Sequence, residues 1–383
     1  MNDITIDKTG WEKYRFDEMV QNISERVEPS QTDLDVYVGL EHIDPDSLHI
    51  KRHGHPSDVE GTKLRFYKGD IIFGRRRAYQ RKTALATTDG ICSAHTMVLR
   101  AKEDVVDPMF LPFLFHSKSF IDMAITISVG GLSPTINWKD IAKQEFLLPP
   151  KPEQKRLAAL LWAADEMIEK EKEIKLQLEK QLQSLIIESV CNSNNTTKPL
   201  SALVYVNPAT KIDASCVSLV TMQDVSETGF VYTETKGDTA NLKNKGLTPF
   251  KENDILFAKI TPCMENGKGC IAKGLHNGLG LGSTEFHVLR PKLDSDLYFC
   301  YYLTMSKFFR LEAERQITGS AGQKRVQPEF FDFYKFPIPS IEKRKIIGER
   351  LHEIDCTISK MKEQIALSQQ IKQELINKIN NYE

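Results

Sequence analysis

The sequence predicts an α+β protein: two mixed α/β modules, each running into a long helix, with the helices paired antiparallel and the whole related by an internal pseudo-two-fold. Three observations predict this. A set of short motifs occurs twice in the same order, at an offset that drifts only from 184 (Asp70 to Asp254) to 190 (Arg100 to Arg290). Neither proline nor glycine occurs between Glu153 and Thr197. Apolar residues in that stretch and in the last forty residues recur about every 3.5 positions, the period of a coiled-coil seam.

The first copy begins with short β-branched and aromatic runs. Val36-Tyr37-Val38-Gly39-Leu40 and Ile71-Ile72-Phe73 read as strands. Met109 to Ile127 is longer and apolar at helical spacing, so it reads as one helix despite Pro112. Pro149, Pro150 and Pro152 end this copy, and the helix that follows carries Leu157, Leu161, Ala164, Ile168, Leu178, Leu182 and Leu185 on one face. Asn192-Ser193-Asn194-Asn195-Thr196-Thr197 reads as a polar link. The second copy closes with a helix whose seam is Ile347, Leu351, Ile354, Ile358, Met361, Ile365, Leu375 and Ile379. Expected boundaries are a module at 1–150, a helix at 151–194, a module at 195–339 and a helix at 340–383. The faces opposite the seams are almost entirely Lys, Glu and Gln, so each helix finds its natural partner in the other. A helix of about 35 residues spans about 50 Å, so antiparallel pairing makes a rod that fixes the distance between the modules.

At 383 residues the chain can bury two full cores, and 40% apolar with 27% charged residues describes a globular protein. The net charge of −1 implies that any polyanion-binding signal must be local. The N-terminus lacks a basic start and an apolar run, no stretch approaches the ~20 apolar residues of a membrane span, and the seven cysteines lack framework spacing. The expected compartment is the cytoplasm, with no membrane association.

The local signal is strong in the first copy. Residues 63–82 hold Lys63, Arg65, Lys68, Arg75, Arg76, Arg77, Arg81 and Lys82 against the single acid Asp70. Phosphate neutralisation needs such a patch, and Arg75-Arg76-Arg77, directly after the strand, suits presentation of guanidinium forks to guanine O6 and N7. Tyr79 stands among them as a ring that can stack or pack. The second copy has a more diffuse set: Lys259, Lys268, Lys273, Lys324 and Arg325. The loop around Gln323 corresponds to the loop carrying Ser133, Thr135 and Asn137, and both are rich in hydrogen-bond donors.

Other chemistries fare worse. Cys263, Cys270, His276 and His287 lack zinc-site spacing, so no metal is expected. Asp224, Glu234 and Lys236 satisfy the loose acid…Glu-x-Lys pattern of metal-dependent endonucleases, the alternative reading. Pro149-Pro150 lies between Leu148 and Lys151, without the acid or amide and the aromatic ring of an amino-methyltransferase turn. A Walker-type phosphate loop is absent too, so no catalytic residue is assigned.

The full plan resembles the specificity (S) subunit of Type I restriction-modification systems. The most specific motifs are Leu147-Leu148-Pro149-Pro150-Lys151-Pro152-Glu153-Gln154-Lys155-Arg156, entering the first helix, and Gly69-Asp70-Ile71-Ile72-Phe73 with its counterpart at 254–257. The second junction, Ile341-Glu342-Lys343-Arg344, lacks the glutamine. The resemblance implies two target recognition domains reading the halves of a split sequence on double-stranded DNA, and a helical spacer. It also implies a non-enzymatic chain that docks two methyltransferase subunits carrying S-adenosylmethionine, joined by restriction/translocase subunits.

Overall fold

The computed structural model describes residues 6–191, 196–226, 235–238, 246–317 and 324–381, with the strand at 235–238 described by its backbone alone. The chain divides into two compact units, one formed by Met1–Glu171 with Ile365–Glu383 and the other by Lys172–Gln364.

In unit 1 a four-stranded antiparallel sheet runs in the order Val20–Ile23, Thr96–Ala101, Ile71–Gly74, Thr83–Leu85. A second sheet has the order Arg26–Val27, Lys63–Phe66, Gly90–Cys92, Tyr37–Val38, with its last pair parallel. Alternation along a strand explains why Ile71-Ile72-Phe73 is apolar without a break. Ile71 and Phe73 face a core shared with Phe113, Phe115, Phe120 and Phe146, while Ile72 faces the other side with Phe66, Val38 and Val98. Both faces of the strand are covered.

Unit 2 repeats this arrangement. Its first sheet runs Val204–Val206, Phe286–Pro291, Ile255–Ala258, Gly269–Ile271, again all antiparallel. Ile255 and Phe257 face one core and Leu256 the other. In the second sheet Thr248–Lys251, Leu279–Gly282 and Cys216–Val220 take the places of their unit 1 counterparts, including the parallel pair. The outer strand differs: unit 1 adds Arg26–Val27 beside Lys63–Phe66, whereas unit 2 adds Thr235–Asp238 beside Cys216–Val220.

The Asp and Arg that mark the repeat do the same work in both copies. Buried Asp70 accepts from Arg100 Nε and Nη2 at 2.7 and 2.9 Å and from the Tyr67 amide at 2.8 Å. Buried Asp254 accepts from Arg290 Nε and Nη2, both at 2.8 Å, and from the Lys251 amide at 2.8 Å. Each fork bridges neighbouring strands at the same end of the sheet, and a bidentate pair fixes orientation as well as charge.

Two expected elements are shorter or broken. The Val36–Leu40 strand is only Tyr37–Val38, because the chain enters a 3-10 turn at Leu40–His42. Met109–Ile127 is two helices, Leu111–Leu114 and Lys118–Thr126, rather than one. Pro112 lies in the first turn of the former. Ser117 then leaves helical geometry, and its Oγ caps the second helix by accepting from the Phe120 amide at 3.2 Å. The long helices are Lys151–Val190 and Ile341–Asn380, each 40 residues, or about 60 Å at the usual rise.

Each unit contains the beginning of one long helix and the end of the other. In unit 1, Leu157 and Leu161 share a core with Ile376 and Ile379, and Leu375 packs against it. Asp165 Oδ1 accepts from Lys372 Nζ at 2.5 Å, and its Oδ2 meets His49 Nε2 at 2.5 Å. Ile168 and Ile365 are buried as well. In unit 2, Ile186 and Val190 share a core with Leu351, and Leu182, Leu185 and Ile347 pack on it. Ile354 and Ile358 are buried, while Leu178 and Met361 are half-buried.

The missing glutamine of the second junction has a replacement. Buried Gln154 donates to Pro149 O at 2.8 Å and accepts from the Asp107 amide at 2.7 Å. At the corresponding point Arg344 donates to Pro339 O at 2.8 Å and pairs bidentately with Asp296 at 2.8 Å. The junctions share geometry but not chemistry. No helix among the described residues is long and apolar enough to cross a membrane.

Candidate nucleic-acid interface

The candidate interface is built where the strand Ile71–Gly74 ends. Its continuation, Arg75-Arg76-Arg77, meets the returning loop that carries Ser133 and Thr135. Arg77 N donates to Pro134 O at 2.7 Å, Ile136 N donates to Arg75 O at 3.0 Å, and Arg76 and Thr135 form an antiparallel bridge. Side chains join the same two segments: Arg76 Nη2 and Arg77 Nη2 both donate to Ser133 Oγ at 3.1 Å. Arg76 Nη1 also lies 3.4 Å from His95 Nε2. Burial, together with the Arg76 and Arg75 charges, holds the His95 imidazole below its usual range. It therefore stays neutral near pH 7 and can accept from the guanidinium.

Unit 2 builds the same bridge with other residues. Val326 N donates to Lys259 O at 3.0 Å, Thr261 N donates to Lys324 O at 3.1 Å, and Ile260 pairs with Arg325. Lys259, Ile260 and Thr261 thus stand where Arg75, Arg76 and Arg77 stand in unit 1, and Arg325 stands where Thr135 does. Glu285 occupies the place of His95, and Arg325 grips it through Nε and Nη2 at 2.9 and 2.8 Å. That guanidinium holds the Glu285 carboxyl below the usual carboxylate range. Behind the loop, His287 Nε2 donates to Val326 O at 2.8 Å. Burial pushes its imidazole down to about 4, so it remains a neutral peg through the physiological range.

The structure therefore brings Arg75, Arg76, Arg77, Ser133 and Thr135 together in one unit, and Lys259, Lys324 and Arg325 in the other. The remaining predicted residues lie apart from these bridges or are engaged elsewhere. Exposed Lys68 sits at the opposite end of the Ile71–Gly74 strand, where its amide donates to Asp89. Arg81 pairs with Asp46 and donates to His116 O at 3.1 Å. Lys82 Nζ donates to Leu40 O at 2.5 Å, and Asn137 Nδ2 to Asp140 at 3.2 Å. Tyr79 is exposed on the turn that follows Arg77. Lys268 Nζ donates to Met222 O at 3.1 Å, and Lys273 Nζ to the Tyr298 hydroxyl at 2.6 Å. Gln323 lies outside the described residues.

His95 and Glu285 escaped the charge-run argument because neither belongs to a basic cluster. The repeat held the signal: each residue immediately precedes the strand that begins at Thr96 or Phe286. Of the alternative nuclease set, Asp224 caps its own turn by accepting from Thr221 N and Oγ1 at 2.7 Å each. Glu234 and the Lys236 side chain lie outside the described residues. Among the described residues no three His, Cys, Asp or Glu side chains are grouped so as to hold a metal.

Two copies of one sheet-and-helix module, each presenting a bridged basic loop pair, define a duplicated architecture. The model of the Type I restriction modification DNA specificity domain matches twice, at residues 10–180 and 184–375, and the chain belongs to that family. It is 39% identical over 162 residues to the Type I restriction enzyme EcoEI specificity subunit of Escherichia coli, covering 39% of this chain and 26% of that protein. To the EcoAI specificity subunit of the same organism it is 41% identical over 135 residues, 34% of this chain and 23% of the other. The chain thus spans about a quarter of the length of these two relatives. A putative type I restriction enzyme MjaX specificity subunit of Methanocaldococcus jannaschii is 23% identical over 85% of this chain and 82% of its own. The fold is similar to that of the Type-I restriction-modification system S subunit from M. genitalium, with a TM-score of 0.59 at 14% identity over 99% of both chains. A chain solved in a study of complex assembly and conformational transition of the type I R-M system gives 0.55 at 18% identity over 97% of both.

Proposed function

We propose that this chain is the DNA sequence-specificity subunit of a Type I restriction-modification complex. Its modules, 1–150 and 195–339, each read one half of a bipartite target on double-stranded DNA. The two long helices pair antiparallel as a coiled-coil spacer. The chain is non-catalytic and acts in the cytoplasm. It docks two methyltransferase subunits, which bring S-adenosylmethionine, and restriction/translocase subunits join them.

One observation carries this reading: the same two-loop bridge, with basic side chains, recurs at the end of the same strand in both units. Single-copy basic loops are common solvated features. A basic bridge built twice on one scaffold from different residues is what two readers of different half-sites require. The antiparallel spacer draws its support from the cores described above, where the start of each helix lies with the end of the other.

Selection of binding duplexes from a random pool by the full chain tests the proposal. Two short specified segments separated by a constant unspecified gap are the expected result. A single contiguous motif, or no enrichment, refutes it.

A further inference from the structure

The DNA-reading role leaves open which groups read bases and which grip phosphate. The repeat carries the answer further, because the bridge delivers a guanidinium from opposite strands in the two units. Arg76 sits on the outgoing segment and Arg325 on the returning one. Directly paired residues of an antiparallel bridge project to the same side. Arg76, paired with Thr135, and Arg325, paired with Ile260, therefore emerge at equivalent places. Each guanidinium also turns to the residue before the long strand: Arg76 to His95, Arg325 to Glu285.

We propose that Arg76 and Arg325 each read a guanine in their own half-site, and that Glu285 is the positioning residue that sets the Arg325 fork. The preference is electrostatic in origin, and it rests on the DNA-reading function proposed above. A carboxylate flush against Nε and Nη2 cancels the charge that would hold a phosphate, and it repels the phosphate itself. The neutral edge of guanine, with acceptors at O6 and N7, meets no such repulsion. It gains from a guanidinium plane already fixed, because less rotamer freedom is lost on binding. Arg325 is thus better suited to a base than to the backbone. Lys259 and Lys324, compact charges flanking it, suit phosphates. In unit 1 the neutral His95 and the Ser133 hydroxyl replace the carboxylate, leaving Arg76 with its full charge. The two half-sites should therefore be read with the same base preference at this point but with different dependence on salt.

The test compares duplexes selected from a random pool by the full chain with those selected by its variants. Arg325→Lys keeps the charge and should lose the guanine preference at one position of one half-site, by about tenfold or more. Glu285→Gln should relax the same position without flattening the salt dependence, and Glu285→Asp should restore the preference in part. Arg76→Lys should relax one position in the other half-site only. An unchanged motif in Arg325→Lys overturns the inference. So does a loss that is uniform across sequences in Glu285→Gln, which marks a merely structural pair. If the unaltered chain enriches no sequence, the DNA-reading function itself is refuted, and that outcome is recognisable before any variant is made.

Discussion

Replacing Lys372 with methionine should destabilise unit 1 selectively, because Lys372 is the buried cation that keeps the Asp165 carboxylate charged inside the protein. Asp165 and Lys372 expose 4% and 11% of their side chains. Burial alone would push the Asp165 carboxyl up, but hydrogen bonds from His49 and Lys372 and the charges behind them overcome it and hold the group at about 2 rather than 3.8. That depression corresponds to about 2 kcal/mol of stability. Because the folded value lies below the unfolded one, the contribution is complete above about pH 4 and is lost as pH falls through about 2.

Removing Lys372 leaves the carboxylate buried with His49 as its remaining hydrogen-bond partner. Breaking a buried pair from one side costs about 3–5 kcal/mol, and His49 places the expectation near the lower bound. All three tryptophans, Trp11, Trp138 and Trp162, belong to unit 1, and the His49 ring lies edge-on to Trp162 at 6.1 Å. Denaturant unfolding followed by tryptophan emission therefore reports this unit. Lys372→Met should lower its midpoint strongly, while Asp165→Leu with Lys372→Met should recover most of the loss, since no charge is then stranded. A single variant within about 0.5 kcal/mol of the parent, the range of surface substitutions, would refute the reasoning. A double variant less stable than the single one would do the same.

Arg344→Met strands Asp296 in the same way and should cost about 3–5 kcal/mol, seen as faster amide exchange over 341–351 in unit 2. Arg75, Arg76 and Arg77 replaced together by alanine should flatten the slope of log affinity against log salt by up to about 0.9 per lost phosphate contact; an unchanged slope would remove this loop from the interface. Met109→Tyr should stabilise unit 1 by about 0.5–1 kcal/mol by covering apolar surface at a solvent-open pocket. Its basis is a pocket of about 510 Å³, open to solvent and lined in part by Leu48, Leu85, Trp162 and half-exposed Met109. At the position corresponding to Met109, unit 2 has Tyr298, whose ring stacks on His352 at 4.0 Å. Unfolding followed by tryptophan emission checks it, and a lower midpoint would show that the pocket walls have no room for a ring.

Features resting on periodicity and on the repeat were legible in the sequence. The strand at Ile71–Phe73, both long helices and the equivalence of Asp70 with Asp254 need only alternation, spacing and order. Features set by tertiary partners were not. In Met109–Ile127 the apolar spacing resumes beyond the polar run His116-Ser117-Lys118-Ser119, and that spacing outweighs the N-cap signal of Ser117. The buried Ile376 lies one position from the expected seam residue Leu375, since the end of that helix packs on the unit 1 core. The charge count of 63–82 treated eight basic residues as one patch, although Lys68 and Arg75 occupy opposite ends of a strand and Arg81 is tied to Asp46. Charge density along a sequence does not say which way a side chain turns.

The repeat also separates what the fold needs from what each copy is free to change. The paired Asp and Arg of the sheet, Asp70 with Arg100 and Asp254 with Arg290, retain both residue types, because each buried carboxylate would be stranded without its guanidinium. At the helix junction the geometry is kept and the chemistry is exchanged as a set: Gln154 accepts an amide where Arg344 meets the Asp296 carboxylate. At the loop bridge only the backbone hydrogen bonds persist, and nearly every side chain differs. Backbone pairing fixes where the loops lie at no cost in side-chain identity, so these positions can vary without disturbing the sheet that supports them. The function proposed here, reading different short sequences on one frame, requires that ordering of constraint, strict in the sheet and loosest at the bridge.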